Sequence, residues 1–194
     1  MQSILKVEEA VQGYLAITVC ESSGNKKYTV RTTVYMDIGS PCRGDELSDD
    51  ALEILRRADE YYRAKRAALS ILSYGDNNER TLRTKLRTRS ISDEIAAEVV
   101  AEMVSLGYID ERRQLSRLIS EEANRKLIGP RKIIPKLLSK GYSMRDVRQV
   151  LEELTSSGEI DFDENRERLL ERHSDLTEDE EQMKKLLYKY GYDF

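Results

Sequence analysis

One pattern occurs twice in this chain and limits what the chain can fold into. Lys85-Leu86, Ser92-Asp93-Glu94-Ile95 and Gly107-Tyr108-Ile109-Asp110 are matched in order by Lys136-Leu137, Ser143-Met144-Arg145-Asp146 and Gly158-Glu159-Ile160-Asp161. The period is about fifty residues, the range in which a single supersecondary unit repeats. Such a unit cannot bury its apolar face alone, so successive copies stack around a shared core and leave a long surface for extended partners.

Apolar spacing gives each copy three helices. In the first, Ala64, Ala67, Ala68, Ile71 and Leu72 share one helical face, and Leu82 and Leu86 mark a short helix after Asn77-Asn78. Ile95, Val99, Val100, Met103 and Leu106 follow the cap Ser92 and end at Gly107. In the second, Leu115, Leu118, Ile119 and Ala123 start after Asp110 and run toward Gly129-Pro130, a pair suited to a helix start. Ile133, Ile134, Leu137 and Leu138 form its short helix, and Val147, Val150, Leu151 and Leu154 the helix opened by Ser143-x-x-Asp146. Pro135 lies beyond the first turn, so the short helix is expected to start late or to bend. A third copy begins with Asn165, Leu169 and Leu170, passes the capping box Thr177-x-x-Glu180, and stops at Gly191-Tyr192-Asp193-Phe194 without a last helix.

The first forty residues have a different character. Tyr14–Cys20 and Tyr28–Met36 are β-branched and aromatic, with Ser22-Ser23-Gly24-Asn25 between them as turn chemistry, which predicts a β-hairpin. Two strands alone are marginal, so they pair with a further strand from residues 4–8 or dock on helices. A helical pattern begins around Asp45-Glu46-Leu47 and Ser48. The expected fold is mostly α: tandem three-helix repeats, two full and a third truncated, with a small N-terminal β-hairpin extension. The expected division is a β-rich extension over 1–45 and a helical repeat domain over 46–194, its repeats at about 58–109, 110–160 and 161–194.

Composition removes several function classes. Neither a stretch of membrane-spanning length nor a secretory leader pattern is present, so a cytoplasmic protein without membrane contact is expected. Cys20 and Cys42 lack any C-x-x-C spacing, which argues against zinc and a disulfide framework. The glycines Gly75, Gly107, Gly129, Gly141, Gly158 and Gly191 are spread out as helix terminators, with no phosphate-binding or dinucleotide fingerprint. The single histidine, His173, lies in Arg172-His173-Ser174-Asp175, where consecutive residues cannot build a catalytic triad. Glu178-Asp179-Glu180-Glu181 opens a helix, where acidic groups complement the dipole without a metal. No enzymatic activity, cofactor or metal is expected.

The net charge of −4 conceals blocks of alternating sign: −4 over residues 1–55, +6 over 56–89, −5 over 90–124, +7 over 125–148 and −8 over 149–194. The basic blocks hold Arg80, Arg83, Lys85, Arg87 and Arg89 around the second helix of repeat one. Arg125, Lys126, Arg131, Lys132, Lys136 and Lys140 fall at the same place in repeat two. Carboxylates are scarce within both clusters, which favours a stripe facing phosphates or an acidic protein surface over a merely solvated face. Tyr108, Tyr142 and Tyr192, which follow glycine at three junctions, form a second candidate surface.

At these repeats the chain resembles the RecX family of recombination regulators. The resemblance rests on Ala68–Ser73, on Leu82 with Lys85-Leu86, and on Gly107-Tyr108-Ile109-Asp110. In repeat two it rests on Gly129-Pro130-Arg131-Lys132-Ile133, Leu137, Lys140-Gly141-Tyr142 and Val147, and it covers roughly residues 48–192. The family's arginine-containing stretch after the first helix is replaced here by Ser73-Tyr74-Gly75-Asp76-Asn77-Asn78. The resemblance implies a monomeric, non-enzymatic protein that binds along a RecA-type recombinase filament and modulates it, chiefly by inhibition. Weak, non-specific contact with single- or double-stranded DNA is a further expectation. A helical adaptor for protein alone, and a weak nucleic-acid binder without a recombinase, are the alternatives.

Overall fold

The computed structural model describes residues 2–174 and 179–193. Strands β1 (Ser3–Val11), β2 (Tyr14–Glu21) and β3 (Gly24–Arg31) form an antiparallel sheet in the order β1-β2-β3. The pair around Ser22-Ser23 is thus completed by a third strand from the segment expected to supply one. Register shifts interrupt β1–β2 pairing between Ile4 and Lys6 and between Glu9 and Val11. Each outer strand is bonded on its free edge at one place. Ile4 N–H donates to the Asp45 carbonyl and Leu47 N–H to that of Gln2, while Thr29 N–H on β3 donates to the Asp59 carboxylate at 2.9 Å.

The strand expected over Tyr28–Met36 ends at Arg31, and Thr32–Asp37 coils into helix α1. Strand propensity of Thr-Thr-Val-Tyr expresses packing on a sheet rather than an intrinsic backbone choice. Here Val34 and Tyr35 pack instead on the core of Ile4, Ile17, Val19, Val30, Leu52 and Leu55. The helix expected from Asp45 starts later, as α2 (Asp49–Ser73), with the Ser48 hydroxyl accepting from Ala51 N–H. Residues 45–47 are taken up by the edge of β1.

All regular elements after α2 are helical among the described residues: α3 (Glu79–Arg87), α4 (Asp93–Ser105), α5 (Glu111–Ser120), α6 (Pro130–Ser139), α7 (Met144–Ser156), α8 (Phe162–Arg172) and α9 (Glu180–Tyr190). The chain divides into two compact units, one of Met1–Gly75 with Leu82–Leu106, the other of Asp76–Thr81 with Gly107–Phe194.

In the first unit the sheet lies against α2, and α2 pairs with α4. Ala64 and Ala68 on α2 and Ala96, Val99 and Met103 on α4 are fully buried, small residues letting the helices approach closely. A polar ladder runs beside them. Arg57 bridges Glu94 and Glu98 at 2.6 and 2.9 Å, and Tyr61 and Lys65 both donate to Glu102 at 2.6 Å.

In the second unit Leu115, Ile119, Ala123, Ile133, Leu137, Val147, Val150 and Leu154 form one core, the stripe that the spacing predicts. Asp110, Ser143 and Asp161 cap α5, α7 and α8 through their side chains. Asp179 caps α9; Thr177, the expected capping residue, lies outside the described residues. Gly107 and Gly158, at equivalent junctions, take left-handed φ values of 74° and 77°, which only glycine adopts without strain.

Two features of this unit were not expected. Helix α5 runs on into a π turn, Glu121–Arg125, and Leu127 just after it is buried with φ 56°. Helix α6 starts at Pro130 and contains Pro135, so a late start is excluded. Gly129 is the N-cap of α6, as the Gly129-Pro130 helix start predicts, rather than a terminator. A Cβ there would sit 2.3 Å from the Gly191 carbonyl oxygen, so close backbone contact requires the glycine.

Candidate functional site

The eleven basic candidates are at the surface, ten exposed and Lys126 half-buried. Arg80, Arg83, Lys85 and Arg87 lie on α3, and Arg89 follows it. Arg125 and Lys126 lie at the π turn, Arg131, Lys132 and Lys136 on α6, and Lys140 at its C-cap. Both sets therefore fall on or beside the short middle helix of a repeat.

Carboxylates are scarce within both clusters, but others from outside them pair with several of the cations. Asp93, Glu121 and Glu122 flank the clusters in sequence, and Asp193 is brought to Arg131 by the fold. Arg83 grips Asp93 at the start of α4 through two guanidinium nitrogens, and Arg87 lies 3.6 Å from the same carboxylate. The hydrogen bond from Arg83 holds the Asp93 carboxyl below its ordinary pKa. Arg125 and Lys126 pair with Glu121 at 2.7 and 3.2 Å, and Arg131 pairs with Asp193. Lys132 and Lys140 have no carboxylate within ion-pair distance among the described residues.

Glu122 differs from the other carboxylates. It lies in the π turn with its side chain only 7% exposed, taking Lys126 at 2.7 Å and Lys136 at 2.6 Å. Burial pushes its pKa up, but the hydrogen bonds from the two lysines outweigh burial and hold it below the ordinary value. Lys126 and Lys136 are thereby committed to a buried carboxylate. Exposed ion pairs of the Arg83–Asp93 kind contribute only about 0–1 kcal/mol, so their cations remain available to a stronger anion.

Of the junction tyrosines, Tyr108 is 56% exposed, but Tyr142 and Tyr192 are buried, against expectation. Tyr142 donates to Gln114 Oε1 at 2.9 Å, while Gln114 Nε2 donates to the Asn77 carbonyl. Tyr192 sits among Leu127, Leu169 and Leu187, and burial pushes its phenol up to about 12. These rings close the core. Sequence reasoning also missed Arg113 and Arg117 on α5, which line a polar cavity of about 320 Å³ with Tyr108 and Gln114. Their spacing of four, after Gly107-Tyr108, is the signal that was present.

His173 lies against Tyr190 with ring centroids 6.0 Å apart, and Asp175 and Glu178 lie outside the described residues. Glu180 and Glu181 pair with Lys184 and Lys185. No group of three metal-ligating side chains occurs among the described residues, and no helix there is long and apolar enough to cross a membrane.

No family model matches the chain. Among curated proteins it is similar to the regulatory protein RecX of Clostridioides difficile, 24% identical over 119 residues, covering 61% of this chain and 56% of that protein. The RecX of Leuconostoc citreum is 25% identical over 131 residues, 68% of this chain and 47% of the relative. These matches span about half of the relatives' length. The RecX of Clostridium acetobutylicum is 24% identical over 176 residues, 84% of this chain and 81% of the relative. A crystal structure of regulatory protein RecX superposes with a TM-score of 0.71 at 20% identity, covering all of this chain and 95% of the other. That of RecX from Lactobacillus salivarius gives 0.60 at 22% identity, over 71% of this chain and 91% of its own. At such identities the superpositions speak for the fold, and the recurrent sequence matches speak for descent. In sequence and, separately, in fold, the chain is similar to proteins named regulatory protein RecX.

Proposed function

We propose that the chain is a regulatory protein without catalytic activity that binds a RecA-type recombinase filament and restrains its strand exchange and ATP hydrolysis. The observation that carries this reading is the RecX likeness, found independently in sequence and in fold. In this reading the protein acts as a cytoplasmic monomer, and residues 46–194 are the helical repeat domain that meets the filament, with 1–45 as an extension. A ligand shifts such an assembly only through unequal affinity for its states, so the work is differential binding.

In the same reading Arg80, Arg83, Lys85, Arg87 and Arg89, and separately Arg125, Arg131, Lys132 and Lys140, are the cations that meet the filament. Lys126 and Lys136 support the second set by holding Glu122. Contact of these cations with DNA itself is weak and non-specific, since phosphate contacts carry no sequence information. The test is cosedimentation with RecA assembled on single-stranded DNA, together with DNA-dependent ATP hydrolysis. Binding with a falling hydrolysis rate is the expected result; failure to sediment with the filament sinks the reading and favours an adaptor for another protein.

A further inference from the structure

The first unit contains a cavity of about 330 Å³ that the basic clusters do not touch. It lies within the range of roughly 300–1,000 Å³ typical of small-ligand sites. Tyr14, Tyr61, Tyr62, Arg31, Ile54 and Arg57 are among its walls. Tyr14 opens β2 and is the cross-strand partner of Arg31, which closes β3, and Tyr61 and Tyr62 are consecutive on α2. Strand register and helix phase thus bring three phenol rings to one place.

The contacts run in a line. Arg31 Nε lies 3.4 Å from the Tyr14 hydroxyl, the Tyr14 and Tyr62 rings are 4.9 Å apart at 50°, and the Arg66 guanidinium stands 5.9 Å from the Tyr62 ring centre. The order is cation, ring, ring, cation. Arg57 is held by Glu94 and Glu98, and Tyr61 by Glu102, so those groups are fixed walls. Arg31 and Arg66 have no carboxylate within ion-pair distance among the described residues. Ile54, 45% exposed, adds apolar surface at the rim.

We propose that this cavity is a base-stacking site for single-stranded nucleic acid, with an unpaired base against the tyrosine rings and flanking phosphates on Arg31 and Arg66. Two adjacent rings flanked by guanidinium groups offer a stacking face for a base, with a cation on either side for the neighbouring phosphates. A duplex keeps its bases stacked on one another and offers none to the rings. The Tyr14–Tyr62 contact orders the rings beforehand, which lowers the entropic cost of binding. The proposal shares no residue with the basic clusters and stands independently of the filament reading.

The chain has eleven tyrosines and no tryptophan, so binding is read from a labelled oligomer and the part these rings take in it from the quenching of tyrosine fluorescence. A short oligothymidylate should quench it and bind about tenfold or more tightly than an abasic oligomer of equal length and charge. Tyr14→Ala with Tyr62→Ala should abolish that preference, and Tyr14→Phe with Tyr62→Phe should keep it. Arg31→Gln with Arg66→Gln should lower the slope of log affinity against log salt by about 0.7 for each phosphate no longer neutralised. Arg145→Gln with Arg166→Gln, at exposed positions outside both surfaces, should leave the preference for bases unchanged. Equal binding of the two oligomers, or a preference surviving in a Tyr14→Ala/Tyr62→Ala variant that is folded by circular dichroism, overturns the proposal. Loss of filament binding in that variant with oligothymidylate binding intact makes the cavity a protein-docking face and equally refutes it.

Discussion

The α3 and α6 clusters look alike in sequence, yet their cations rest on different carboxylates. Arg83 and Arg87 share Asp93, whose side chain is 52% exposed, whereas Lys126 and Lys136 share Glu122, exposed by 7%. Water screens the first arrangement and can replace either partner; Glu122 has little access to it and depends on the two lysines. One cluster is therefore exchangeable surface, and part of the other is internal structure that shows only its charged ends.

The largest effect that separates them is Lys126→Gln with Lys136→Gln. Breaking a buried ion pair typically costs about 3–5 kcal/mol, and the half-exposed lysines here reduce that to about 2–3 kcal/mol. Urea denaturation at neutral pH measures it, and adding Glu122→Gln should recover most of the loss. A variant as stable as the parent would erase the distinction between the clusters. A joint substitution of the basic surface that includes Lys136 would confuse unfolding with weakened binding, so Lys136 belongs outside such a test.

The same comparison has a pH signature. Glu122 has a depressed folded pKa, so its contribution is present above its ordinary value of 4.5 and is lost as pH falls through the folded value. Without the lysines only burial remains, the pKa rises, and protonation relieves the strain of the buried charge. The stability gap between parent and variant should therefore narrow as pH falls from neutral toward 4.5 and below. A gap independent of pH would mean that the lysines stabilise through packing of their stems.

Smaller effects are expected on the exchangeable side. Arg83→Gln with Arg87→Gln, or Lys132→Gln with Lys140→Gln, should change stability by about 0.5 kcal/mol or less per site. For each phosphate that is no longer neutralised, the salt slope of filament binding should fall by about 0.7–0.9. The smallest change is Asp93→Asn, which frees both arginines at little cost in stability and should strengthen filament binding. Weaker binding by Asp93→Asn, read by cosedimentation, would show that the paired geometry itself is recognised.

Helical spacing made the repeats legible because each stripe has one buried face, and Leu115, Ile119, Ile133, Leu137, Val147 and Val150 all occupy it. The basic clusters were legible as positions but not as electrostatics. A boundary drawn between Asn124 and Arg125 separated Glu121 and Glu122 from cations they touch through the helical turn. Asp193 is close to Arg131 only through the fold. Helix α1 was hidden because its residues prefer strands when a sheet neighbour exists, and none does beyond Arg31. The tyrosine cavity depends on β-sheet register meeting a helix face, a coincidence that no local pattern encodes.

Gly129 meets Gly191 at backbone distance, and its N–H donates to the Tyr190 carbonyl at 2.8 Å. A nascent chain emerges in order, and domains generally fold as units during synthesis. The turn between α5 and α6 therefore leaves the ribosome well before the strand of backbone that closes it, and its amide stays bonded to water in the interim. Repeat two becomes fully sealed only when residues 190–192 arrive, which makes the last helix the clasp of the second unit rather than an appendage to it.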